Sequence, residues 1–254
     1  MDILGLRVNT GQYQTFVERI TDLAFSGTSS YVCVANVHML VEAYLDKKFA
    51  EVVNSADIIT PDGVPLLWAS RLLYGKKQDR VAGMDLLPDL LKRAERESLP
   101  VYFYGGTTEM LDNAQIFLAQ NYPRLNVAGL FSPPFRSLTD AEQAAIEQNI
   151  NNSKARIVFV ILGCPKQEKW MGSMKGKINA CMIGIGGALP VLIGAQKRAP
   201  QWMQKNGLEW LYRLSQEPRR LAKRYIITNS IFTWLLLKTW IKQLFTTKTA
   251  GNTL

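Results

Sequence analysis

The stretch TPDGVP at residues 60–65 sets one carboxylate, Asp62, between Pro61 and Gly63, with apolar runs on both sides. A carboxylate on a strand-end turn with apolar neighbours is partly desolvated. That disfavours its charged form and raises its proton affinity toward the range of a general base. The same Asp-Gly pair is also an ordinary turn, its carboxylate bonded to nearby backbone. Asn36, at the end of YVCVAN, offers an amide that orients Asp62 or a ligand hydroxyl, or else caps the helix that follows. Arg80, in RVAGMD, carries the planar donor set that grips two phosphate oxygens at once. Its other reading is a surface ion pair with Asp79 or Asp85. His38 is the one histidine in the chain, and it reads as a helix-start residue.

A single histidine excludes any multi-histidine metal site, and no Cys-x-x-Cys pair is present to clamp zinc. A Gly-x-Ser-x-Gly elbow and a Gly-x4-Gly-Lys-Ser/Thr phosphate loop are both missing from the sequence. Cys33, Cys164 and Cys181 are odd in number and far apart, which suits a reducing compartment without a disulfide framework.

These groups need a scaffold, and the chain alternates the elements of one. Apolar runs at 31–36, 57–63, 100–106, 125–131, 155–163 and 180–188 read as strands. Segments 37–56, 64–75, 83–97, 107–122, 138–153 and 165–176 have helical spacing, with Thr107 or Thr108 as an N-cap and Pro165 at a helix start. The alternation predicts an α/β fold with a Rossmann-like, mostly parallel sheet covered by helices on both faces. Ligands of such sheets sit beyond the carboxyl ends of the strands. Asn36, Asp62-Gly63, Gly105-Gly106, Gly163 and Gly186-Gly187 all fall at those ends. Each alone reads as a tight turn; together they predict a shared pocket. Lys166 and Glu168 read as helix surface.

The 254-residue chain is 47% hydrophobic and 20% charged, a globular composition. MDILGLRVNT lacks the basic-then-apolar pattern of a secretory signal, so a cytoplasmic location is expected. The net charge of +9 is confined to the end of the chain: residues 1–195 carry 19 basic and 19 acidic residues, and residues 196–254 carry 11 basic residues against Glu209 and Glu217. We divide the chain accordingly, into a Rossmann-like α/β unit at 1–195 and a basic helical appendage at 196–254. The longest uncharged run of the appendage, 225–237, is too short for a bilayer span, which needs about 20 apolar residues. Tryptophan and leucine flanked by lysine and arginine suit a helix lying in the interface of an anionic membrane. The other reading is a packed helix with a solvated basic face. No nucleic-acid motif is present. An amphipathic appendage of this kind also allows self-association in solution.

ANVHML (35–40), ADIITPDGVPLLW (56–68), RVAGMDL (80–86), VYFYGG (101–106), GCPKQEKWM (163–171), GIGGALPVLIGAQKRAP (184–200) and GLEWLYRLSQEPRR (207–220) together resemble the WecG/TagA/CpsF family of bacterial glycosyltransferases. The stretches cover most of the chain in the family's order. The resemblance implies an enzyme of envelope polysaccharide assembly. It would move a sugar from a UDP-sugar to a saccharide on a polyprenyl diphosphate, with inversion and without a metal or other cofactor. It further implies an appendage that docks on the inner face of the plasma membrane and helps complete the active site.

On that footing Asp62 is the catalytic base, Asn36 its orienting amide and Arg80 an acceptor- or phosphate-binding residue. Gly63, Gly105, Gly106, Gly163, Pro165, Gln167, Gly186 and Gly187 line the substrate, with the Gln167 amide on the sugar or the uracil. Many sugar-nucleotide enzymes hold a cation on an Asp-x-Asp pair, and this chain has no such triplet. Helix N-termini and the tail arginines Arg213, Arg219, Arg220 and Arg224 are then expected to neutralise the diphosphate.

Overall fold

A computed structural model of the chain describes residues 1–250, and side chains through residue 245. The last four residues of the appendage and the Lys248 side chain lie outside the described residues.

A short antiparallel pair, β1 (Asp2–Ile3) and β2 (Leu6–Arg7), precedes α1 (Tyr13–Ser26). Six strands then build the main sheet: β3 (Ser30–Ala35), β4 (Ile58–Pro61), β5 (Val101–Gly105), β6 (Val127–Phe131), β7 (Ile157–Ile161) and β8 (Cys181–Gly184). Their order is β4-β3-β8-β7-β5-β6, and every pairing in it is parallel. Every residue of β3, β5, β7 and β8 is buried. A parallel sheet covered on both faces requires this, and it is why these strands read as unbroken apolar runs.

One face is covered by α2 (Val37–Leu45), α3 (Lys47–Asn54), α4 (Val64–Tyr74), α7 (Asp140–Asn152) and α8 (Lys166–Met174). The other is covered by α1, α5 (Gly83–Arg96), α6 (Thr108–Asn121) and the short α9 (Ala188–Leu192). In α5, Leu86, Leu87, Leu90, Leu91 and Ala94 are buried, the stripe that helical periodicity puts on one side. The helix expected over 37–56 is two helices. Asp46 adopts an extended conformation, ends α2, and accepts a hydrogen bond from Phe49 N at 3.2 Å as the N-cap of α3.

The appendage follows as α10 (Gln201–Lys205), α11 (Glu209–Gln216) and α12 (Pro218–Ala250). α12 lies on α2 and α4. Leu221, Phe232 and Leu235 of α12 are buried, each contributing about 1.5–3 kcal/mol to holding the helix in place. Its outer side exposes Ile226, Trp234, Leu237, Ile241 and Phe245, with Lys238 lying 4.8 Å over the Trp234 ring. No described helix is long and apolar enough to cross a membrane.

Candidate active site

The register pairs Ala35 with Pro61, so the next residues, Asn36 and Asp62, leave the sheet side by side. Asp62 N donates to Ala35 O at 2.7 Å. Gly63 takes φ +94, a value open to glycine and costly for other residues, and turns the chain into α4. The Asn36 side chain caps α2 by accepting from Met39 N at 3.1 Å. A Cβ placed on Gly63 would sit 3.9 Å from Asn36 Cβ, so the two turns touch.

Arg80 arrives from a segment that extends the sheet edge. Val81 N donates to Pro61 O at 2.9 Å, and Thr60 Oγ1 donates to Val81 O at 3.0 Å. Arg80 Nη2 then lies 3.4 Å from Asp62 Oδ1 and 2.5 Å from Glu209 Oε2. Glu209 opens α11, and Arg213 stands one turn later on the same helix face. The Arg213 guanidinium rests on Gly187, where an added Cβ would come within 2.8 Å of Nη2. The rim therefore holds two acids and two arginines, with Glu209 and Arg213 both supplied by the appendage.

Asp62 is 21% exposed. Burial, joined by the Glu209 charge, outweighs the pull of Arg80 and Arg213 and pushes its carboxyl up to about 6. Such a group is mostly ionised at pH 7 yet holds a proton well enough to accept one. Burial disfavours the Arg80 charge, but Asp62 and Glu209 outweigh that and hold its pKa above the usual value.

The other half of the rim is backbone. Gly105, at φ +108, leaves no room for a side chain: a Cβ would meet Ile161 C and O at 2.7 Å. Gly106 N donates to Ile161 O at 3.0 Å, and Thr107 caps α6 by accepting from Met110 N at 3.1 Å. Gly163 has φ +77, and a cis Cys164–Pro165 bond leads into α8, with Pro165 at its N-cap position.

Gln167 is buried, and its amide is engaged. Oε1 accepts from Gly163 N at 3.1 Å and Nε2 donates to Glu168 Oε1 at 2.7 Å. Its side chain packs under Gly184 and Gly186. It braces two rim turns, a role the sequence did not indicate. Glu168 corrects the surface expectation outright, being fully buried, with burial pushing its carboxyl up.

The four tail arginines part company, and Arg219 is exposed. Arg213 reaches the rim. Arg224 faces the start of α2, where burial, then Arg224, lower the pKa of His38. Arg220 is 63% exposed and pairs with Glu217. Sequence reasoning gave Glu209 no role. The available signal was that a tail this basic contains only two acids. Glu209 reaches back to Arg80 in the main fold, while Glu217 accepts from Gln196 at the start of the appendage. Among the described residues, no three His, Cys, Asp or Glu side chains gather as a metal site would need.

A strand-end carboxylate that can take a proton, next to guanidinium groups that can receive phosphate oxygens, suits displacement of a phosphorylated leaving group by a hydroxyl. Comparison with known proteins points the same way. The model of the "Glycosyl transferase WecG/TagA/CpsF family" matches residues 1–245. Among curated proteins, an N-acetylglucosaminyldiphosphoundecaprenol N-acetyl-beta-D-mannosaminyltransferase of Staphylococcus aureus (strain MW2) is 30% identical over 226 residues, covering 88% of this chain and 87% of the relative. Proteins of the same name from strains NCTC 8325 and MRSA252 match at the same identity and coverage.

Proposed function

The chain belongs to the WecG/TagA/CpsF family of glycosyl transferases, a hexosyltransferase, and from that premise we propose that it moves an N-acetylmannosamine-type sugar from a UDP-sugar to a saccharide carried on a polyprenyl diphosphate. The transfer is an inverting, in-line displacement. The acceptor oxygen bonds to the anomeric carbon as its proton passes to Asp62, and the bond from that carbon to the diphosphate breaks with its electron pair going to UDP. The observation that carries this reading is the placement of Asp62, pushed up to about 6 and flanked by Arg80 and Arg213. Arg80 and Arg213, with backbone N–H groups of the glycine turns, receive the diphosphate without a metal ion. Asn36 orients the acceptor side of the pocket.

Residues 1–195 form the catalytic unit in this reading, and 196–254 complete it while docking on the anionic inner face of the plasma membrane. The exposed aromatic and aliphatic side of α12, with its lysines, supports that placement.

Product analysis with a panel of UDP-sugars and a short-chain lipid diphosphate-GlcNAc tests the proposal. We expect UDP release and a disaccharide product with UDP-N-acetylmannosamine, unaffected by EDTA. UDP-glucose and UDP-N-acetylmannosaminuronic acid are the competing donors in the panel. No transfer from any donor overturns the reading, and loss in EDTA restored by magnesium overturns its metal-free part.

Gly187→Ala gives a second expected outcome. The residue has φ −74, so alanine adds no backbone strain. Its methyl group displaces only the flexible end of Arg213. Transfer should fall about tenfold or more, as for a lost charge-stabilising donor, with the melting temperature little changed. Initial rates and a melting curve on one preparation check it.

A further inference from the structure

We propose that Glu209 is a positioning residue of the transfer: it holds Arg80 away from Asp62, so that Asp62 keeps the proton affinity a base needs. The inference rests on reading Asp62 as the base.

The geometry is asymmetric. One nitrogen, Arg80 Nη2, serves both carboxylates, at 2.5 Å to Glu209 and 3.4 Å to Asp62. The first is a short charge-assisted bond; the second lies at the outer limit of a hydrogen bond. Arg80 Nε is buried without a partner, so nothing on that edge fixes the guanidinium. Glu209 is therefore the group that sets where Arg80 points. Its carboxylate is 12% exposed, and a charge that sheltered is weakly screened.

The charged groups around the pair come from several elements. Asp62 faces Arg80 from the segment before α5, and Glu209 and Arg213 from α11. Arg80 also feels Asp85, which is itself held by Arg198 at 2.5 Å. Removing the Glu209 charge has two effects of one sign. The repulsion that favours protonated Asp62 disappears, and Arg80 is released to pair fully with Asp62. Both weaken the base. Because Glu209 belongs to the appendage, the appendage sets the strength of the base as well as covering the site.

The pH profile of kcat/KM for the full-length protein and Glu209→Gln, which keeps shape and removes charge, tests this. The acid limb, governed by Asp62 near pH 6, should move down by about one pH unit, and the plateau should fall about threefold to tenfold as a weaker base implies. Glu209→Asp, with the charge restored, should return the limb most of the way. An unmoved limb under a uniformly lowered profile means that Glu209 only tethers the appendage, and overturns the proposal. Asp62→Asn is measured alongside. If it retains an acid limb near pH 6, the reading of Asp62 as base fails first, and the proposal with it. Should Glu209→Gln turn over too slowly to profile, melting temperature against pH reads the same proton. The difference between each protein and its Asp62→Asn counterpart reports Asp62 directly. In the Glu209→Gln background the pH at which that difference develops should fall, and an unchanged pH overturns the proposal.

Discussion

Asp62→Asn transfers sugar about 10²–10⁴-fold more slowly than the parent, the range that a positioned general base contributes. The amide keeps the size and turn chemistry of the carboxylate but cannot accept the acceptor's proton. The loss should fall on kcat, because binding of the donor through Arg80, Arg213 and backbone N–H groups is left in place. The same variant should also be the more stable protein at neutral pH. Asp62 holds its proton more tightly in the folded chain than in the unfolded one, about 6 against an ordinary 3.8. Between those values the native state binds more protons, so stability falls as pH rises from about 4 to about 6 and stays lowered above that. The full shift corresponds to at most about 3 kcal/mol. Asn at this position removes the window. Melting curves of the two proteins should converge below about pH 4 and separate above about pH 6, with the variant higher. A parent as slow as the variant, or a variant as fast as the parent, refutes the role.

Gly105→Ala should damage the fold itself. Gly105 takes φ +108, and a Cβ there would meet the carbonyl carbon and oxygen of Ile161 at 2.7 Å. Both obstacles are backbone of the adjacent central strand, which cannot swing aside as a side chain does. Backbone strain and overpacking together should cost about 3–5 kcal/mol. For a chain of this size that lowers the melting temperature by about 10 °C or more. Gly163→Ala is the control: its φ is also positive, at +77, but a Cβ meets nothing within 4 Å, so strain acts alone and the cost should be about 1–2 kcal/mol. Urea unfolding of the two variants separates the contributions.

The strands and their covering helices could be read from the sequence because each carries its own signal. Val32 to Ala35, Val101 to Gly105 and Ile157 to Ile161 are apolar on both faces, and the helices repeat at helical spacing. Asn36, Asp62 and the paired glycines mark the carboxyl rim for the same reason. What was missed depends on contacts between distant segments. The two-residue strands β1 and β2 are too short to show periodicity. Asp46 splits a helix without interrupting its amphipathic pattern. Glu168 sits in the charged run KQEK, and its burial is made tolerable by hydrogen bonds from Gln167, from backbone and from the neighbouring Cys164. Glu209 stands 129 positions from Arg80, and nothing local foretells that pairing. The strand order β4-β3-β8-β7-β5-β6 is hidden too, since hydrophobic pattern carries no information about which strand becomes a neighbour.

That order has a bearing on how the chain comes off the ribosome. Cys33 pairs with Gly184 in the middle of the sheet, so the two halves of the platform cannot join until most of the polypeptide has emerged. Until then β3 presents an open, largely apolar edge, the kind of surface that recruits wrong partners. Pairings this far apart in sequence make for slow maturation, and a newly made copy gains the Glu209 contact to Arg80 only after its final helices have been translated.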